Sequence, residues 1–443
     1  MARARILKLQ DVHQNKGKCP WRIEFQVDDI PVSAFFRPPK EILAKIHRRD
    51  VSLISIPILC DLAAEVRPSE VTVDVRCELP KFRQIFDDAA GALLAEQDAF
   101  WKRPRFTPVP TLSGEFTMRQ PEEKTLNPKR VVLGFSGGKD SIVSLFALIY
   151  AGYEVFPLLL NQGDRTWQDV RTWIPKLRKL GLNPMIAYLS TGRRKNLKER
   201  YGDWYYSSYE VGWVIAVLAL CAAAIGAGVI CLGIESSADH SFATFRKKRI
   251  NHQYQKTTRH LMLLQRFYQR VVNSGLKIGS PIADVTDTEV LKVLLEQVPE
   301  KFQDFSSCGG SNWQSKHCGE CEKCAFVYAL LWGSTRGRRL AKRIFRRDLL
   351  DDVELYRPWI DPRFLPPLAC IGPRREVWNA LEILVETEPN KKVVRKWRES
   401  QLRHRIFLKK TKPNRNGHAN KISSPLCLAV PEAAALIRKW VDG

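Results

Sequence analysis

Val131-Val132-Leu133-Gly134-Phe135-Ser136-Gly137-Gly138-Lys139-Asp140-Ser141 decides the fold. An apolar run of strand type stops at a serine-glycine-glycine turn, and an apolar run of helical type begins at Ile142. Two adjacent glycines let the backbone turn tightly and aim successive N–H groups at one point. The helix that follows turns its positive dipole end to the same point. The result is an anion cradle of phosphate size, to which Ser136 and Ser141 can add hydroxyl donors. Asp140 only accepts, so beside phosphates its natural role is to hold Mg2+. The spacing is not that of the nucleotide loop with four residues between Gly and Gly-Lys.

Outward from this stretch, strand and helix patterns alternate. Strands are expected over 131–135, 155–160, 185–189 and 229–234, with helices from 142, near 167–180 and over 211–225. Such alternation predicts an α/β fold, a parallel sheet with helices on both faces. Ligands of such sheets sit beyond the carboxyl ends of the strands. The stretch 211–234 carries no charge and is long enough to span a bilayer. Gly226-Ala227-Gly228 splits it into a buried helix and a buried strand, so no membrane span is expected. A further strand-turn-helix pattern spans 280–289, where Thr286 and Glu289 have capping-box spacing.

The flanks are different. Residues 1–105 show β-type runs at 22–27 and 72–76 and a helical pattern over 82–101, which predicts an N-terminal accessory α+β unit. Residues 106–129 are rich in Pro, Thr and Glu and read as a linker. The segment 130–333 carries the loop and a cysteine cluster, and 334–443 is a basic, mainly helical region. Within 391–412, Trp397 and Phe407 interrupt a dense run of Lys and Arg without a stacking motif, and a solvated helix face accounts for that run.

The net charge of +24 and pI near 9.7 suit polyanionic partners, among them tRNA, an anionic membrane surface or a phosphorylated metabolite. A solvated surface without a specific partner gives the same charge. Of eleven cysteines, seven are scattered (Cys19, Cys60, Cys77, Cys221, Cys231, Cys370, Cys427) and form no disulfide framework. Met1-Ala2-Arg3-Ala4-Arg5 has no apolar signal core behind it. A reducing, cytoplasmic location is expected.

The other four, Cys308, Cys318, Cys321 and Cys324, form C-x9-C-x2-C-x2-C. Three thiolates fall within one or two turns and a fourth comes from an adjacent loop. This suits a closed, structural tetrahedral Zn2+ site, with Trp313 and Phe326 as shields and His317 as a spare ligand candidate or a bystander. An iron–sulfur cluster also uses four cysteines, and spacing alone does not separate the two.

The loop resembles the SGGxDS pyrophosphate loop of the ATP pyrophosphatase (PP-loop) superfamily, whose HUP-like domains cleave ATP to AMP and pyrophosphate to activate an oxygen of the substrate. Leu232-Gly233-Ile234-Glu235-Ser236-Ser237-Ala238-Asp239 and Ile250-Asn251-His252-Gln253-Tyr254-Gln255-Lys256-Thr257 resemble the GNERSAN and VNHQ(W/Y)SKS stretches of ATP-dependent UDP-N-acetylmuramoyl-L-alanyl-L-glutamate epimerases. Cys318-Gly319-Glu320-Cys321-Glu322-Lys323-Cys324-Ala325-Phe326-Val327 resembles their WCGxCxKCxFVF segment. The resemblance covers roughly 130–385. A family arginine is Ser236 here, which bears on the acceptor more than on ATP. The 7-cyano-7-deazaguanine synthases share the loop and a similar cysteine spacing, but their Ser-Gly-Tyr-Pro-Asp-Cys-Arg-like stretch is missing here.

The resemblance implies that Ser136, Gly137, Gly138 and Ser141 hold the β,γ-phosphates of ATP and that Asp140 holds Mg2+. Lys139, at the variable loop position, either assists or is solvated. Glu235, beyond a strand end, is a ligand-facing carboxylate or a cap. His252 and Lys256, four apart, are expected on one helical face. There Lys256 would pair with a substrate phosphate, and His252 would be a base or a structural hydrogen-bonding group. The implied partner is a nucleotide-sugar peptide, whose diphosphate would draw on the basic surface. Two other readings share these residues: a deazaguanine-type or tRNA-modifying enzyme, and a nucleic-acid-binding or defence-associated protein with a vestigial loop. The intact loop, Asp140 included, argues against the last.

Overall fold

The strand that leads into the glycine loop, Asn127–Gly134, sits inside a ten-stranded sheet. The computed structural model describes residues 4–14, 19–103, 105–117, 120–121, 123–162, 166–190, 195–201, 209–241, 243–308, 317–361, 363–364, 371–403, 406 and 423–443. Twelve strands occur among them. They are β1 (Ile6–Gln14), β2 (Trp21–Val27), β3 (Ile30–Arg37), β4 (Glu70–Val73), β5 (Thr111–Gly114), β6 (Asn127–Gly134), β7 (Glu154–Asn161), β8 (Met185–Ser190), β9 (Ala227–Cys231), β10 (Ala243–Phe245), β11 (Lys248–Ile250) and β12 (Lys277–Gly279). The large sheet has the order β12-β9-β6-β7-β8-β3-β2-β1-β4-β5, and β10 and β11 form a separate hairpin.

Two compact units divide the chain. The first comprises Met1–Ser136, Leu148–Leu232 and Ala243–Gly279; the second comprises Gly137–Ala147, Gly233–Phe242 and Ser280–Gly443.

In the first unit β12, β9, β6, β7 and β8 run parallel. Val131, Val132 and Leu133 are all buried, as are all five residues of β9, which is the continuous burial expected of strands covered on both faces. From β6 the chain moves to β7 and β8 on one side and then returns to place β9 on the other. The carboxyl end of β6 is therefore a topological switch point, and the chain leaves it through Phe135 and Ser136. The N-terminal strands extend the same sheet: Phe35–Arg37 of β3 pair antiparallel with Tyr188–Ser190 of β8. In β2, buried and half-buried residues alternate, the signature of an antiparallel strand with one dry face.

The uncharged stretch is a helix, Glu210–Ile225, closed by Gly226 at φ 71° and followed directly by β9. Among the described residues no helix is long and apolar enough to cross a membrane. The expected helix near 167–180 is present in pieces, Thr166–Val170 and Ile174–Lys179, joined by a 3-10 turn at Arg171–Trp173.

The second unit is helical. Its core gathers Phe326, Tyr356, Trp359, Leu381 and Trp397, all buried. Tyr356 donates its hydroxyl to the Ala325 carbonyl at 2.8 Å, and the Trp378 and Trp397 rings stack 6.3 Å apart. Trp397, in the basic run, is thus a core residue. Its indole N–H donates to Glu382 at 2.7 Å. Phe407, Trp313, Cys370 and the basic residues Arg193 and Arg194 lie outside the described residues. None of the ten described cysteines is joined in a disulfide.

Candidate functional site

Gly137 opens the second unit with φ 74°, a conformation open to glycine at no steric cost. Its carbonyl accepts from the Ser306 N–H at 3.1 Å, which ties the loop to the segment after the short helix Glu300–Phe302. The Gly138 carbonyl accepts from the Ile142 N–H and from the Ser141 hydroxyl, both at 3.0 Å. The Ser141 hydrogen is therefore spent inside the loop and its oxygen remains an acceptor. Helix Lys139–Tyr150 begins here, with Asp140 in its first turn.

Gly233 lets this turn come close. A Cβ there would lie 2.6 Å from the Asp140 carbonyl carbon and 2.8 Å from the Ser141 nitrogen, closer than real Cβ atoms approach. The strip that follows is pinned from the far side. The Ile234 N–H donates to Ser280 Oγ at 3.1 Å, Ser280 Oγ donates to the Ile234 carbonyl at 2.8 Å, and the Ser236 N–H donates to the Val285 carbonyl at 2.9 Å. Glu235 thereby stands beside the loop, its carboxylate accepting from the Ser237 hydroxyl.

Lys139 is only 5% exposed. Its ammonium lies 2.5 Å from Asp140 Oδ1 and 2.5 Å from Asp287 Oδ1. The solvated alternative for this residue is overturned: a buried ammonium needs acid partners, and it has them. Burial works against its charge, but Asp140, Asp287 and Glu235 outweigh burial and hold it well above the usual lysine range. Burial pushes Asp287 up to about 7; Lys139 pulls the other way, and Glu235 and Asp140 add to the rise.

Asp287 is the first residue of helix Asp287–Gln297, whose start is over-determined. The expected capping box is formed: the Thr286 N–H donates to Glu289 at 2.7 Å, and the Glu289 N–H donates to Thr286 Oγ1 at 3.3 Å. Glu376, from helix Arg374–Thr387, accepts from the Thr288 N–H and hydroxyl at 2.6 Å each and from the Asp287 N–H at 3.3 Å. Burial raises Glu376, against the pull of its bonds from Thr288. Sequence reasoning placed Thr286 and Glu289 but missed Asp287, Glu376 and Ser306, which carry no local motif.

The structure brings Lys139, Asp140, Glu235 and Asp287 together. Ser136, exposed, belongs to the first unit, as do His252 and Lys256. The expectation of one helical face for His252 and Lys256 is corrected. The Asn251 side chain accepts from the Gln253 N–H at 2.8 Å, only a 3-10 turn Tyr254–Lys256 follows, and the α-helix starts at Thr258 behind the Thr257 cap. His252 Nδ1 faces the buried Glu96 carboxylate. Lys256 Nζ donates to Gln253 Oε1 at 3.2 Å.

The Sγ atoms of Cys308, Cys318, Cys321 and Cys324 lie within 4.8 Å of one another and could hold a metal ion. Cys308 and Cys321 are 3.9 Å apart, Cys318 and Cys324 3.8 Å. Backbone N–H groups of Cys318 and Glu320 donate to the sulfurs of Cys308 and Cys318 at 3.4 Å. Gly319, at φ 72°, makes the turn, and its carbonyl accepts from Arg347 at 2.8 Å. His317 points elsewhere: its Nε2 donates to the Phe305 carbonyl at 3.0 Å.

Fold and site together define an α/β protein with a strand-glycine-helix loop, an acid-rich cluster around a buried lysine, and four cysteines that could hold a metal ion. Residues 303–410 match the family model of the MurL C-terminal domain. The chain is 27% identical over 267 residues to a protein of Xanthomonas oryzae pv. oryzae (strain MAFF 311018) named UDP-N-acetyl-alpha-D-muramoyl-L-alanyl-L-glutamate epimerase, a match covering 57% of this chain and 56% of that one. A protein of the same name from Micromonospora sp. (strain ATCC 39149 / NRRL 15099 / SCC 1413) is 24% identical over 280 residues, covering 61% and 59%. A shorter match, 34% over 98 residues, is to 7-cyano-7-deazaguanine synthase 1 of Desulfitobacterium hafniense (strain Y51), covering 19% of this chain and 44% of that one. The chain spans less than three-fifths of the length of the epimerases it matches.

Proposed function

We propose that this protein is an ATP-consuming PP-loop enzyme that epimerises the terminal L-glutamate of UDP-N-acetylmuramoyl-L-alanyl-L-glutamate to D-glutamate, a step in making peptidoglycan precursor. The carrying observation is the similarity to the named epimerases over more than half of the chain, and beside it stand the glycine loop and its charged cluster.

The chemistry explains why ATP is needed. A carboxylate resists carbanion charge at its α-carbon. When a carboxylate oxygen attacks the α-phosphorus and pyrophosphate leaves, the resulting acyl-adenylate is neutral at the carbonyl and delocalises that charge into an enolate. A base then takes the α-proton, a proton returns on the other face, and water cleaves the mixed anhydride to carboxylate and AMP.

Gly137 and Gly138 would hold phosphate oxygens through backbone N–H groups at the helix N-terminus, with Ser136 and Ser141 beside them. Asp140 fits Mg2+, since one carboxylate plus phosphates is how that ion is commonly held. The ion would neutralise phosphate charge. Lys139 keeps a fixed positive charge at the loop, and Glu235 flanks it. His252, with Nδ1 turned to Glu96, is equipped for proton transfer, because a carboxylate partner fixes an imidazole's tautomer and orientation. Lys256 offers a cation to a substrate phosphate.

We assign a structural Zn2+ to the four cysteines. A tetrahedron with bonds of about 2.3 Å has edges of about 3.8 Å, close to the 3.9 and 3.8 Å sulfur separations. An iron–sulfur cluster would set its irons between the sulfurs and spread them further.

The test is pyrophosphate release from Mg2+-ATP, with and without the UDP-linked dipeptide, scoring the product for D-glutamate. Release that requires this acceptor, yields D-glutamate and is lost in Asp140→Ala supports the reading. Release without epimerisation moves the acceptor elsewhere, first to a deazaguanine precursor, which the shorter match favours. No release with any acceptor overturns it.

A further inference from the structure

We propose that Asp287 is a positioning residue for the loop: it takes over the Lys139 ammonium when Asp140 turns to a divalent cation, and so sets how readily Asp140 can bind one. This rests on the reading of Asp140 as the Mg2+ ligand.

Lys139 is shared. Its Nζ stands 2.5 Å from one carboxylate oxygen of Asp140 and 2.5 Å from one of Asp287, and the lysine and Asp287 are each 5% exposed. Asp140, in the first turn of helix Lys139–Tyr150, has a partly exposed carboxylate that can face an incoming cation. Asp287 is its opposite. It is buried, and it opens an eleven-residue helix whose first turn is fixed by Thr286, Glu289 and Glu376. One partner is placed to leave and the other to stay.

Charge accounting gives the consequence. A buried ammonium stripped of its carboxylate carries an uncompensated desolvation cost. If a metal draws Asp140 away, Lys139 still has Asp287 at full contact, and the exchange leaves no buried charge alone. Without Asp287, the ammonium falls back on Asp140, and a metal must compete with it for that carboxylate. Asp287 therefore acts through Lys139 and need not touch nucleotide or metal.

The experiment titrates the zinc-loaded full chain with Mn2+ alone, followed by water-proton relaxation, and then repeats the titration with ATP present. In Asp287→Asn the Mn2+ midpoint should rise roughly tenfold to a hundredfold. Asp287→Glu, which keeps the charge, should restore most of it. In a Lys139→Met background, Asp287→Asn should shift the midpoint by less than about threefold, because the competitor is gone. A merely structural Asp287 would lower thermal stability and weaken binding equally in both backgrounds, and that result overturns the proposal. So does an unshifted midpoint in Asp287→Asn. If the wild type binds Mn2+ but not Mn2+-ATP, the functional reading fails, while the Lys139-dependent shift with Mn2+ alone still decides the role of Asp287. If the wild type binds no Mn2+ under either condition, both fall.

Discussion

Two buried charge networks, one in each unit, are built on opposite terms. In the first unit Arg67 and Asp98 are almost wholly buried and 3.2 Å apart, and Arg103 lies 3.5 Å from the same Asp98 carboxylate. Gln97 accepts from the Arg67 guanidinium at 2.6 and 3.1 Å, and Asp98 also accepts from the Thr107 N–H and hydroxyl. In the second unit one ammonium, Lys139, serves Asp140, Asp287 and Glu235; burial pushes Asp287 upward, and Glu235 and Asp140 add to the rise against the pull of Lys139. The first has guanidinium to spare around one carboxylate and ties a helix end to Thr107. The second has carboxylate to spare around one ammonium beside the glycine loop, and under the proposed function that surplus receives a cation. Burial alone does not distinguish them; the stoichiometry of charge does.

The comparison can be broken first at Asp98. Asp98→Ala leaves the Arg67 guanidinium buried without its counter-charge and should cost about 3–5 kcal/mol, read as a lowered denaturant midpoint. Gly233→Ala strikes the second network through the backbone. Its methyl must displace the Asp140–Ser141 turn, with a stability loss of about 1–3 kcal/mol and a larger proportional loss of Mg2+-ATP binding, measured by calorimetry on the same preparation. Glu289→Ala removes half of the capping box under Asp287 and should cost about 0.5–1 kcal/mol.

The smallest effect is one of slope. Asp287 is raised in the folded state, so its protonated form is favoured there. Its contribution to stability is complete below the ordinary carboxylate range and is lost as pH rises from about 4 through about 7. Urea midpoints measured from pH 4 to 8 should therefore fall more steeply with pH in the wild type than in Asp287→Asn. Equal slopes would mean that the surplus charge is neutralised by another route.

Much of this was legible in sequence because it is local. The strand-glycine-helix of the loop, the Gly226 break, the Thr286–Glu289 box and the spacing of the last three cysteines each depend on residues close together in the chain. What was not legible depends on pairing across the chain. Nothing near Asp287 announces Lys139, and nothing near Thr288 announces Glu376. The pairing of β3 with β8 likewise has no sequence signal, because alternation gives a strand's faces and not its neighbour. The helical spacing of His252 and Lys256 misled for a local reason: the Asn251 side chain bonds the Gln253 N–H and Thr257 caps a later start, so the helix begins beyond both residues.

The bond from the Ser306 N–H to the Gly137 carbonyl has a reach beyond the loop it steadies. Cys308 is two residues further on, and His317, next to Cys318, holds the Phe305 carbonyl from the other side. A few residues of backbone thus run from the four cysteines, the proposed metal centre, to the glycine turn, the proposed nucleotide loop. Two ligands that order the same backbone are thermodynamically reciprocal: the factor by which the metal tightens nucleotide is the factor by which nucleotide tightens the metal. The nucleotide-loaded protein should then be the harder one to strip with a chelator.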